Sequence, residues 1–492
     1  MRIKGTAGLL ACLLVWAATG SAVAATAAVT PGASSNAGPE PARVSLLQSG
    51  SVEITRGDDK TPVAATLNVP LIPGDAFAAV GRNTFAEIQL DGFTDVRVGE
   101  GAGGRIVAND AHARRIELTG GLIELSLLRG RDVASEIATP SFTLRTRYAG
   151  AYRVSEQGAG TTSITLRGGQ ADIVTPHETL TLRSGETLVV RGSADDVAVE
   201  SQPAAARDAF DEFNAQRDRT LLAALDSDTH VPPSIAGYDD LTAYGRWTSL
   251  ASYGPVWVPN GQSADWAPYR DGRWSYVGND GWTWVGNEPW AWVPYHYGRW
   301  LYSSGYSWCW YPPPMGYDPV WAPALVGFFG YGGASGFSEV GWVPLAPFEP
   351  YVPYPFPWRY GPPRHYYPPP PPTQHRGPPA HMSPLTAYQN ARFGGASAID
   401  AGAWRKGDAT SPIVVTLPAT ASKPVVPAAP VVERAVPVPH VELPVRDTTL
   451  PLVRSIPVSL PALTPSLPSA MPVFHAPAPS HSVHSTPAHP PA

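Results

Sequence analysis

The chain has 492 residues, a formal net charge of −6 and only 15% charged residues. That balance sets aside a nucleic-acid binder, which would show a basic face, and the length exceeds one compact core, allowing two or three domains. Its 56 prolines and 47 glycines are well above an ordinary globular share and unevenly placed.

Met1-Arg2-Ile3-Lys4 supplies a positive end, and Ala7 to Ala18 is an apolar run far shorter than the ~20 residues of a membrane span. Ala22-Val23-Ala24 offers the small residues that a signal peptidase reads, so residues 1–24 are expected to be a signal peptide and 25–43 a linker. The Leu9-Leu10-Ala11-Cys12 box of a lipoprotein is set aside, because the apolar run continues past Cys12. A periplasmic or secreted protein is expected, from a Gram-negative bacterium, not integral to the membrane after cleavage. Cys12 leaves with the signal and Cys309 stands alone, which allows neither an internal disulfide nor a cysteine metal site.

Residues 44–198 read as the first folded domain, and from about Val44 to Val190 they alternate with period two. Thr84 to Leu90 puts Ala86, Ile88 and Leu90 on one face, and Ser163 to Arg167 and Thr179 to Arg183 repeat the scheme. Turn signals interrupt at Pro73-Gly74-Asp75, Asp91-Gly92, Gly120-Gly121, Gly168-Gly169 and Ser184-Gly185. Short strands with glycine turns predict an all-β sandwich, roll or short solenoid.

This region resembles the FecR domain family. The resemblance rests on Ile72-Pro73-Gly74-Asp75, on Thr84 to Asp91 with Val96-Arg97-Val98, and on Arg115 to Gly121. Ala138 to Thr146, Ala151 to Val154, Leu166 to Ala171 and Arg183 to Glu186 complete it. The resemblance implies an extracytoplasmic β-domain. Regulatory members of that family relay a receptor signal to a sigma factor and carry a cytoplasmic domain and a membrane span ahead of it. Here only a short signal and the loose stretch Ala25 to Ala42 come first, so the fold and the compartment are what the resemblance implies.

Between residues 199 and 228 the period changes. Ala206, Phe210 and Phe213 share a helical stripe that Leu221 and Ala224 continue, with Pro203 suited to the first turn. A connecting helix packed on a neighbouring domain is expected.

Thirteen of the 16 tryptophans lie between Trp247 and Trp342. Gly-Arg-Trp occurs at Gly245-Arg246-Trp247, Gly272-Arg273-Trp274 and Gly298-Arg299-Trp300, the tryptophans 27 and then 26 residues apart. A fixed period of this size is one supersecondary unit in tandem, and its length fits a β-hairpin. Residues two apart on a strand share a face, which predicts pairs Trp282 with Trp284, Trp290 with Trp292 and Trp308 with Trp310. The arginine before each tryptophan points the other way, placed to lie over a neighbouring ring. Two readings stay open. The indoles form the core of small units, or they stack on glycan rings. The candidate ligand-binding residues of the second reading are Trp247, Trp274, Trp300, Arg246, Arg273, Arg299, Trp282, Trp284, Trp308 and Trp310.

The run Gly237-Tyr238-Asp239-Asp240-Leu241 leading into Tyr244-Gly245-Arg246-Trp247, with the repeats after it, resembles the aromatic-repeat module catalogued as DUF6600. That resemblance implies an architecture spanning 229–345 and no activity. Beyond it, 346–382 reads as a Pro/Tyr-rich linker, 383–410 as a small appendage and 411–492 as a disordered Pro/Ala-rich tail. Eight of the 12 histidines lie at or beyond His365, with nothing to fix them as metal ligands.

No nucleophile elbow, phosphate loop or His-Glu-x-x-His is present. The expectation is a mainly β, non-catalytic exported protein: a FecR-like all-β roll or sandwich, one connecting helix, tandem Trp-rich hairpins and a disordered tail. No cofactor or metal is expected. It would bind or scaffold in the cell envelope, with an envelope protein or cell-wall glycan as partner. The alternatives are peptidoglycan or other glycan binding through the repeats, and a regulatory role outside the cytoplasm in FecR-type signalling.

Overall fold

The computed structural model describes residues 40–57, 61–158, 160–193, 196–227, 230–315, 317–331, 339–351, 388–400, 413–414 and 436–437. The expected signal peptide and nearly all of the proline-rich linker and tail lie outside them. Among the described residues no helix is long and apolar enough to cross a membrane.

The first domain is mainly β, as the alternation demands. Fifteen strands join in one sheet that encloses a single apolar core. Val44, Ile88, Val96, Ile123, Val154 and Ile164 are each at most 1% exposed, all from alternating positions. Strand Arg114–Leu127 is the hub. Its first half pairs with Gly103–Asn109 and, in parallel, with Ser135–Ala138; its second half pairs with Thr94–Val98 and Gly150–Glu156. Gly120-Gly121, expected to be a turn, lies inside this strand. Gly121 has φ 73°, and a Cβ there would collide with the Gly101 backbone. The glycine pair bends a continuous strand so that it serves both halves of the sheet.

Among the described residues three α-helices follow where one was expected: α1 Ala209–Leu225, α2 Tyr238–Tyr244 and α3 Trp292–His296. Helix α1 starts later than Pro203, which closes strand Asp196–Pro203. Asp208 caps it, accepting from the Asp211 N–H at 3.0 Å while the Asp211 carboxylate accepts from the Asp208 N–H at 3.1 Å.

The three Gly-Arg-Trp units each build a hairpin. Gly245–Leu250 pairs with Gly254–Pro259, Gly272–Val277 with Gly281–Gly286, and Arg299–Ser303 with Ser307–Tyr311. In every one the Gly-Arg-Trp tryptophan sits directly opposite another: Trp247 faces Trp257, Trp274 faces Trp284, and Trp300 faces Trp310. The motif's glycine is the diagonal neighbour of that second indole. A Cβ at Gly245, Gly272 or Gly298 would strike the ring of Trp257, Trp284 or Trp310 respectively. The repeat therefore encodes a close approach: a bare backbone, an arginine on the other face, and an indole pair across the strands.

The hairpins do not form one uniform stack. The first and third share a four-stranded sheet, joined at Trp257 and Trp310, while the second stands as its own two-stranded sheet. Trp290 and Trp292 are not a strand pair, because Trp292 opens α3. Pro294 has no N–H for a ladder but is tolerated in the first turn of a helix. Within the stretch expected to be an appendage, Ser397–Asp400 adds to strand Glu339–Pro344, so the repeat module recruits it as an extra strand.

Gly245→Ala is expected to destabilise the protein by about 1–3 kcal/mol in chemical denaturation, since Gly245 is ordinary extended backbone and only the Trp257 ring excludes a side chain. Gly305→Ala, where a Cβ meets nothing within 4 Å, should change stability by less than about 0.5 kcal/mol. Equal effects would dissociate the motif's glycine from ring packing.

Candidate functional site

Of the ten candidate residues, the indoles are mostly interior. Trp274, Trp284, Trp300 and Trp310 are at most 1% exposed, and Trp282 and Trp308 are 4% and 3%. Their faces meet other rings: Trp274 and Trp284 lie edge to face at 5.4 Å, and Trp274 and Trp342 at 5.5 Å. The indole N–H groups of Trp257, Trp300 and Trp310 donate to the carbonyls of Leu241, Pro294 and Tyr297 at 2.8–2.9 Å. A ring packed on both faces has none to offer a sugar. Trp247 is the half-buried member, tilted on Trp310 and edge-on to His230.

The arginines act differently from expectation. Arg246 donates to Asn260 Oδ1 at 3.3 Å and Arg273 to Thr66 Oγ1 at 2.7 Å, in place of the expected contacts with rings. Arg299 is 6% exposed and donates to the Gly298 carbonyl at 2.8 Å. The hydrogen bond from Arg273 to Thr66 crosses to the first domain.

That crossing belongs to a junction of residues not singled out in the sequence. Val285, from the second hairpin, is 1% exposed and completes the first domain's apolar core. Asn68 donates to the carbonyls of Gly286 at 3.2 Å and Glu288 at 2.9 Å. Arg43, 1% exposed, donates to Asn68 Oδ1 at 3.2 Å and to Gln89 Oε1 at 2.8 Å, and pairs with Asp240 at 2.7 Å. The Asp239-Asp240 run-in to the repeats is thus an anchor to the first strand. No local periodicity marks Arg43 or Asn68, since their partners lie far along the chain.

Helix α1 covers a charged face of the first domain. Across neighbouring strands Glu87, Arg97, Glu124 and Arg153 form a row of alternating sign. Arg97 is 0% exposed and pairs with Glu87 at 3.1 Å and with Asp218 of α1 at 2.7 Å. Arg217 of α1 reaches Glu87 at 2.7 Å, and Ser126 donates to Asp218 at 2.7 Å. Arg153 and Arg167 hold Asp211 at 3.1 and 2.7 Å. Phe210 and Phe213 flank Phe85 beside this row, so the expected apolar stripe carries only part of the contact.

The proton affinities follow from burial and pairing. Burial alone would raise Glu87, but the guanidinium groups of Arg217 and Arg97 outweigh it and hold the carboxyl at about 2. Burial pushes Glu124 up to about 7, against the pull of Arg97, and Asp240 to about 7, against Arg43. In the repeat module burial lifts Glu288 to about 7, although the Tyr295 hydroxyl donates to it at 2.7 Å. His296 is buried against Trp321, its Nδ1 2.7 Å from the Ala322 carbonyl, and burial lowers it to about 4. Each of these groups sits in closed packing, which suits a structural role.

Glu124, Asp240 and Glu288 bind their protons more tightly folded than unfolded. Their contribution is full below the ordinary carboxyl range and is lost as pH rises through about 7. Glu87 and His296 run the other way, and their contributions fade as pH falls toward about 2 and about 4. Three carboxyls oppose one imidazole in the middle range. Denaturation midpoints should therefore be higher at about pH 5 than at about pH 8; the reverse order would contradict the buried, protonated carboxyls. Arg97→Ala strands buried carboxylates and is expected to cost about 3–5 kcal/mol by the same measurement.

Residues 238–349 match DUF6600, a family of unknown function, and that match does not extend to the first domain. No curated protein matches the chain. Two crystal structures, each of a candidate anti-sigma factor from Parabacteroides distasonis ATCC 8503, are similar at 15% identity, with TM-scores of 0.24 and 0.21. The similarity covers 27% and 23% of this chain, and 60% and 52% of those chains.

Proposed function

We propose that this chain is a non-catalytic exported protein of the bacterial envelope, in which the β-domain and the tryptophan repeats act as one rigid binding or scaffold platform. The observation that carries this reading is the shared interior: Val285 of the repeats completes the core of the first domain, braced by Asn68 and Arg43. Modules that merely follow one another on a chain keep separate cores and polar interfaces. Here Val285 enters the neighbouring core, and hydrogen bonds from Asn68 and Arg273 with the Arg43–Asp240 pair brace it, which suits a body that holds its outer surfaces in fixed relation. The signal-like N-terminus and the FecR resemblance support placement outside the cytoplasm.

Calorimetry of the full chain tests the platform. A single cooperative transition is expected, lowered as a whole by Asn68→Ala; two independent transitions would sink the shared-body reading. Tryptophan fluorescence tests the role of the repeats. Blue-shifted emission, weakly quenched by acrylamide and unmoved by soluble peptidoglycan fragments, is expected from interior indoles. A saturable response to those fragments, lost in a folded Trp247→Ala variant, would replace the scaffold reading with glycan binding.

A further inference from the structure

A groove of about 520 Å³ opens on the first domain beside the strand pairs of its hub, lined by residues of that domain alone. Its charged lining is unbalanced. Arg114, Arg115, Arg145 and Arg147 face Asp132 and Glu136, with His112 at the rim. Two carboxylates nearby are each shared by two arginines, while the exposed Asp132 makes no ion pair among the described residues. Asp91 serves both Arg114 at 2.7 Å and Arg131 at 2.9 Å. Glu136 lies between Arg115 and Arg145 on adjacent strands, 3.8 and 2.7 Å from them. Beyond Arg145, Asp172 accepts from the Thr181 hydroxyl at 3.0 Å. The backbone carbonyl of Arg147 accepts from the Arg131 N–H at 2.8 Å, while its exposed side chain makes no hydrogen bond or ion pair among the described residues.

We infer that this groove binds a phosphate-bearing anion, with Arg145 and Arg147 as the primary donors and Arg115 as the third. Three features of the chemistry point there. A guanidinium is a planar fork that matches an oxyanion with two parallel hydrogen bonds. Arg115 and Arg145 are 38% and 49% exposed, so each has N–H groups facing the opening while one edge holds Glu136. The chain as a whole is at −6, so a concentration of arginine here runs against the general sign of the surface. The ligand carries at least two negative charges, because it must draw Arg115 and Arg145 from a carboxylate that both already share. Clustered phosphate oxygens supply that charge density within the groove. The inference stands apart from the platform reading, since it needs only the first domain.

Calorimetric titration of the full-length protein with pyrophosphate at low ionic strength is the test. Saturable binding is expected, weakened roughly tenfold or more in Arg145→Ala/Arg147→Ala. Arg191→Ala, whose guanidinium pairs with Glu200 elsewhere, should bind as the parent does. Glu136→Gln keeps the size of the side chain and removes the competing charge, so it should bind several-fold tighter, a gain that misfolding does not imitate. Vesicles containing cardiolipin, whose headgroup carries two phosphates, set against phosphatidylcholine alone, separate the sources. Binding to pyrophosphate in solution identifies a free phosphorylated ligand, and binding confined to the anionic vesicles identifies headgroup phosphate. No binding in either arm, or binding that neither the double arginine variant nor Glu136→Gln alters, overturns the assignment.

Discussion

The repeat module depends on one close contact, an indole laid over a backbone that has no side chain. In each hairpin the motif's glycine clears space for the tryptophan diagonally across, and the motif's own tryptophan pairs with that ring. An isolated hairpin is marginal in water. Three that pool their indoles share one interior, with Trp342 and the ring of Trp290 completing it. Large rings cover much area per residue, so a module with short strands and few aliphatic side chains can still exclude water.

The same module is bound into its neighbour. A valine from the second hairpin enters the first domain's core, and Arg43 ties the first strand to the run-in of the repeats. Beneath helix α1 the first domain also carries an unusual density of buried charge. Such groups contribute little net stability when paired and cost heavily when one partner is removed. Their value is geometric: Arg217 and Asp218 of α1 fit one position over the row of Glu87, Arg97, Glu124 and Arg153. The junction is fixed in register by ions and held together by apolar area.

Alternation and glycine spacing made the first domain legible as β structure, and the 26–27-residue period made the hairpins legible. Local pattern misled where one residue type has two uses. Gly120-Gly121 reads as a turn and bends a continuous strand instead. Trp290 and Trp292 read as a strand pair, yet the proline that follows them favours the first turn of α3. Amphipathic reading of α1 found Phe210 and Phe213 but missed the charged row beneath, because that row assembles one residue from each strand.

By itself the sequence determined which segments alternate, where units repeat, and that each unit carries a Gly-Arg-Trp motif, since these depend on residues close along the chain. Tertiary structure alone decided that the indoles face one another rather than solvent, that the domains share a core, and that Arg115, Glu136 and Arg145 meet on one row. Those outcomes depend on residues brought together from distant parts of the chain, where pairing across strands and exclusion of water act on the whole assembly.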